Sequence, residues 1–156
     1  MNLSNSDGTE SLTSSKVSPS HLGVNFNVVL GVDEVALSRQ LSPAFLAYLG
    51  DGVYELYVRT HYLLPPRRLT DYHNQVVAQV RAETQAASLR NLTPHLTEAE
   101  REIVRRGRNA ATGIPRRLSR EVYQQATSLE TLIGYLYLYN PERLQQLLEK
   151  LSVDFT

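Results

Sequence analysis

Three glycines set inside helical runs constrain this chain more than any other feature. Gly50 and Gly52 bracket Asp51 within residues 43–60, and Gly134 follows Glu130 by four positions in the apolar stretch 132–139. Glycine inside a helix costs about 1 kcal/mol relative to alanine. Three of them beside two acids point to a fold in which another backbone approaches closely. Two carboxylates converging there suit a metal site or acid–base chemistry.

The rest of the pattern is helical from Gln40 onward. Ser42 followed by Pro43 reads as an N-cap with proline at the first helical position. Leu46, Leu49, Val53 and Leu56 fall at three- and four-residue steps as a core stripe, with Ala44, Ala47, Tyr48, Asp51 and Glu55 on another face. That helix ends before Pro65 and Pro66. Thr70 is read as the cap of one further helix reaching about Leu92. Thr97 and Glu100 form a capping box that opens the next, which runs into the segment RRGRN at 105–109. After a loop holding Gly113 and Pro115, Ser119 starts a helical stretch to Tyr139, broken near Thr127 and Ser128. Asn140 and Pro141 then start a last helix to about Leu151. No period-2 alternation follows residue 40, so the fold class is all-α.

At 156 residues the chain suits one domain with a sizeable core. Residues 1–38 read as a polar extension, disordered or extended, and 39–156 as the folded unit. No run nears the roughly 20 apolar residues of a membrane span. The start MNLSNSDGTESLTSSK lacks the apolar centre of a secretory signal, so a cytoplasmic protein is expected. With no cysteine, disulfides, thiolate zinc sites and thiol nucleophiles are excluded. His21, His61, His73 and His95 show no ligand spacing. Neither a nucleophile elbow nor a phosphate-binding glycine loop occurs.

Charge is unevenly placed although it sums to zero. Fourteen of the sixteen basic residues are arginine, whose planar fork binds phosphate bidentately. Arg101, Arg105, Arg106, Arg108, Arg116, Arg117 and Arg120 lie within twenty residues, opposed there only by Glu102. A solvated helix face explains part of this cluster. A nucleic-acid contact explains the whole of it.

LAYLGDGVYE at 46–55, RRGRNA at 105–110 and LETLIGYLYL at 129–138 together resemble Mini-ribonuclease III. This is the short bacterial form of the ribonuclease III catalytic domain, without a separate double-stranded-RNA-binding domain. The resemblance spans residues 41–151. It implies a ribonuclease III-type helical endonuclease domain in which Asp51 and Glu130 are the catalytic carboxylates and the metal ligands. The metal implied is Mg2+, with Mn2+ able to substitute. Larger ribonuclease III enzymes carry two further acids, at positions occupied here by Ala47 and Thr127. The set is thus reduced to two carboxylates, with waters and substrate oxygens completing an octahedral ion.

Glu55, one turn from Asp51, is a candidate for orienting the ligands, with a surface or interface charge as its plainer reading. Tyr48 is a candidate for a dimer interface, with a core role as the alternative, and Tyr54 and Tyr57 are read as packing residues. Arg105, Arg106, Arg108 and Asn109 are the candidates for gripping RNA, from a mobile loop by family resemblance. The activity implied is cleavage of double-stranded RNA to 5′-phosphate and 3′-hydroxyl ends by a homodimer. Its implied task is maturation of the 23S ribosomal RNA precursor, with a ribosomal protein as a conceivable helper. The alternative is a catalytically silent double-stranded-RNA-binding or ribosome-associated protein on the same fold.

Overall fold

The computed structural model describes residues 41–155. The extension assigned to residues 1–38 lies outside them. Among the described residues there are six α-helices, one 3-10 turn and no strand, in agreement with the all-α expectation. They are α1 (Pro43–His61), α2 (Leu69–Val80), α3 (Ala82–Leu92), α4 (Glu98–Ala110), α5 (Arg120–Tyr139) and α6 (Pro141–Ser152). The 3-10 turn Thr93–His95 links α3 to α4.

Helix α5 runs through the middle of the molecule, with α1, α4 and α3 packed around it and α6 folded back beside it. Its middle is buried around most of its circumference, at Ala126, Ser128, Leu129, Thr131, Leu132, Ile133, Gly134 and Leu136. A helix apolar around its circumference belongs at the centre of a fold. The core continues through Tyr54 and Val58 of α1, Leu89 and Leu92 of α3, and Leu147, Leu148 and Leu151 of α6.

The expected break near Thr127 and Ser128 does not occur. Both neighbouring hydroxyls turn back into the helix: Ser128 Oγ donates to the Gln124 carbonyl and Thr131 Oγ1 to that of Thr127, each at 2.7 Å. Bonded this way they do not compete with the backbone ladder, and their burial leaves no orphan donor.

A break does occur where none was expected. The helix read from Thr70 to Leu92 is two helices, and it begins at Leu69 with Arg68 as its N-cap. Arg81 is extended (φ −64°, ψ 153°), which separates α2 from α3. Two side chains answer the carbonyls freed by this break: Thr84 Oγ1 donates to Ala78 O at 2.7 Å and Gln85 Nε2 to Val80 O at 2.7 Å. The signal therefore sits in residues after the break, not in a glycine or proline at it.

Other caps match the sequence reading. Thr97 and Glu100 form the full capping box, Ser119 accepts from Val122 N–H and Asn140 from Arg143 N–H. Ser42 occupies the N-cap position of α1, although its side chain makes no cap bond. Glu100 is buried and also accepts from the Arg143 guanidinium at 2.9 Å, which ties α6 to the start of α4.

The α1 stripe is rotated from its expected place. Its buried face is Leu46, Ala47, Gly50, Tyr54 and Val58. Leu49 and Val53 are half-buried, and Leu56 is 46% exposed. With apolar residues around most of its circumference, α1 offers more than one plausible stripe, and spacing alone chose the wrong one. Tyr54 and Tyr57 pack as expected: Tyr54 is buried, and Tyr57 donates its hydroxyl to Leu148 O at 3.2 Å.

Candidate active site

Helices α1 and α5 cross backbone to backbone, and two glycines make that crossing. A Cβ on Gly50 would lie 1.8 Å from the carbonyl oxygen of Glu130, and one on Gly134 would lie 2.0 Å from that of Leu46. The approach is reciprocal, so each glycine admits the other helix's main chain. Glu130 is thereby held against the residue that precedes Asp51. Gly52 does not take part: a Cβ there would meet nothing within 4 Å.

Beside this crossing opens a cleft of about 370 Å³ whose walls include Asp51 and Glu130. The two acids named from the sequence thus face one space. They differ in setting. Asp51 is exposed at the rim, while Glu130 is half-buried. Burial and the nearby Asp51 charge push the Glu130 carboxyl up to about 7, while an interaction with Gln85 pulls it down. Asp51 is also raised, by desolvation in the cleft and then by the Glu55 charge. Two carboxyls that resist ionising together form a site that gains from a cation.

Among the described residues, no group of three or more His, Cys, Asp or Glu could hold an ion. The donor set is then two carboxylates. That suits a hard cation retaining most of its waters, as magnesium does, and does not suit a fully protein-caged metal.

The remaining candidates divide. Glu55 does not line the cleft. Its carboxylate is taken by Arg59 at 2.8 Å, and it reaches Asp51 only through its charge. Tyr48 lines the cleft mouth and is 86% exposed, which removes its core reading. Arg105, Arg106, Arg108 and Asn109 are all exposed, but they lie on helix α4, not on a loop. The physical reason is Gly107, where a Cβ would come within 2.5 Å of Thr131 Oγ1 on α5. The glycine of RRGRN serves close helix packing, and the loop starts only at Ala111.

Arg105 and Arg106 both bridge to Glu102, whose carboxyl is held down to about 2, chiefly by the hydrogen bond from Arg105. Helix α4 runs on to the cleft, whose wall includes Ala110, Ala111 and Thr112 but none of the side chains of Arg105, Arg106, Arg108 and Asn109. Tyr123 donates its hydroxyl to Thr112 O at 3.1 Å and fixes the start of the loop.

Sequence reasoning missed Gln85. This buried residue of α3 also lines the cleft. A lone glutamine in a helix carries no pattern. Its only trace is its place four residues after Arg81, where it can answer a carbonyl released by the break.

The ribonuclease III domain family matches residues 44–141 of this chain. The Mini-ribonuclease 3 of Synechocystis sp. is 62% identical over 110 residues, covering 70% of this chain and 77% of that protein. That of Synechococcus sp. is 59% identical over 118 residues, covering 76% and 86%. The crystal structure of a protein from Fusobacterium nucleatum superposes with a TM-score of 0.69 at 29% identity, over 74% of this chain and 95% of that one. The family match includes Asp51, Gln85, the α4 arginines and Glu130.

Proposed function

Because the chain belongs to the ribonuclease III family, and is an endoribonuclease of its Mini-ribonuclease 3 branch, we propose that it cleaves double-stranded RNA with a divalent cation held by Asp51 and Glu130. The observation that carries this reading is the α1–α5 crossing, which sets both carboxylates on one cleft. The ion is Mg2+, with Mn2+ as a substitute. When bound, it supplies an activated water and offsets charge developing on the phosphate and the leaving 3′-oxygen. The products carry 5′-phosphate and 3′-hydroxyl ends.

The chain's own groups bind, orient and ionise. Asp51 and Glu130 ionise as the cation enters. Arg105, Arg106, Arg108 and Asn109 are exposed on α4, the helix that runs on to the cleft, and they grip the duplex backbone. A-form RNA offers phosphates and 2′-hydroxyls across its shallow minor groove, so recognition by shape follows. Glu55 acts through its charge on Asp51.

The working form is a homodimer, each subunit cutting one strand. Its support is an exposed apolar stripe on α1, where Phe45, Tyr48 and Leu56 stand out from the surface. Residues 39–156 make up the catalytic unit and 1–38 an extension. The substrate is the 23S ribosomal RNA precursor in the cytoplasm, with a ribosomal protein as a candidate helper. No helix among the described residues is long and apolar enough to cross a membrane.

The test is cleavage of an end-labelled RNA duplex with Mg2+ or EDTA, using wild type and Asp51→Asn. Magnesium-dependent cutting by wild type alone is the expected result. Binding without cutting, across several duplexes, would favour the catalytically silent RNA-binding protein instead.

A further inference from the structure

Among the described residues that line this cleft, Gln85 is the one fully buried polar side chain. It is 2% exposed. Its amide nitrogen donates to Val80 O at 2.7 Å, the carbonyl released where Arg81 interrupts the helices. That bond fixes the orientation of the amide, because the flipped form would set two oxygens against each other. The amide also faces Glu130, whose carboxyl it pulls toward the charged form. The other end of the group, Oε1, is buried and meets no donor among the described residues. Buried amide oxygens are ordinarily bonded, and an orphaned one in the wall of a polar cleft is a place where an ordered water enters once neighbouring side chains give slightly.

We propose that Gln85 is a positioning residue of the cleft: its amide nitrogen steadies the Glu130 carboxylate, and its Oε1 accepts a hydrogen bond from a water held beside that carboxylate. The proposal rests on the nuclease reading above and adds a residue to it. A water that attacks phosphorus must aim a lone pair there, so its hydrogens must point at acceptors. Asp51 and Glu130 lose acceptor capacity to a cation. The oxygen of Gln85 is neutral and meets no donor among the described residues, so it keeps its acceptor capacity for a water that a small side-chain movement admits. The break at Arg81 then has a function, since it sets Gln85 at the start of a new helix, one turn from the carbonyl that anchors it.

The test uses the full chain and the variants Gln85→Met, which keeps the length and removes both polar ends, and Gln85→Glu, which keeps an acceptor. Duplex cleavage gives kcat and KM, Mn2+ titration followed by water-proton relaxation reports the waters on the ion, and thermal unfolding controls for the fold. For Gln85→Met, kcat should fall about 10- to 100-fold with the KM for RNA nearly unchanged, and the relaxation of Mn2+-bound water should alter. Gln85→Glu should recover none of that loss, because its carboxylate sets an oxygen against the Val80 carbonyl and a second charge beside Glu130. In the wild type, the Gln85 carboxamide carbon resonance should shift and saturate together with Mg2+ binding, a readout that needs no variant. Unchanged kcat in Gln85→Met, or a carboxamide resonance indifferent to Mg2+, overturns the proposal. If wild type itself cuts no duplex, the nuclease reading fails first.

Discussion

Glu130 and Asp51 carry the same functional group in different surroundings, and burial sets how each titrates. The folded Glu130 carboxyl lies at about 7, against 4.5 for the ordinary value. Between those two pH values the folded protein holds a proton that the unfolded chain has released. Metal-free stability is therefore greatest below about pH 4.5, as far as this group decides, and is lost as pH rises through about 7. The penalty above pH 7 is of order 3 kcal/mol. Thermal unfolding in EDTA should show wild type losing ground between pH 5 and pH 8 where Glu130→Gln does not. Identical pH profiles for the two proteins would contradict the raised value. Metal affinity should climb over the same window, since the proton must leave before the cation enters. In cleavage assays, Asp51→Asn and Glu130→Gln should each lose about a thousandfold or more while still binding duplex RNA. Retained activity in Asp51→Asn would remove the metal assignment. These two acids were legible because they sit in motifs beside glycines; Gln85 was not, because a single amide has no spacing to read.

At the scale of helices, glycines that look alike in the sequence make different demands. Gly50→Ala puts a methyl into the main chain of α5 and should cost about 3 kcal/mol or more, read as a drop in thermal midpoint. Gly52→Ala meets nothing and should gain about 0.5 to 1 kcal/mol from helix propensity. Equal effects at both positions would mean that the crossing is not as drawn. Close approach was legible as a demand, but not which glycines met it, because that depends on the helix's rotation. The α1 stripe failed for the same reason. The break at Arg81 was illegible since no proline or glycine marks it. Helix α4 carries its own prediction. Arg108→Ala should weaken duplex binding and lower the salt slope by about one unit. Glu102→Gln, by freeing Arg105 and Arg106, should strengthen binding at low salt. Filter binding across a salt series distinguishes these outcomes from a plain solvated face, which would move neither slope.

For the molecule as a whole, the exposed stripe on α1 is the feature that asks for a second body. Phe45 is 66% exposed and Tyr48 86%, more apolar surface than a lone helix usually leaves in water. Tyr48→Glu should convert a dimer to monomers in sedimentation at micromolar concentration while leaving the helical content intact. A wild type that sediments as a monomer would refute the dimer directly. The all-α class was legible because helical periodicity and caps agreed over most of the described residues, whereas an interface between copies leaves no mark in spacing. The reciprocal contact of Gly50 with Glu130 and of Gly134 with Leu46 bears on engineering. Main-chain atoms, whose positions are the least negotiable in any protein, act as the gauge that spaces the reacting groups. Side chains elsewhere in the core are then free to be exchanged for others of like volume without moving that gauge. A designer seeking a hardier nuclease can exchange the apolar side chains of this interior, provided positions 50, 107 and 134 are left bare and the buried polar groups keep their partners.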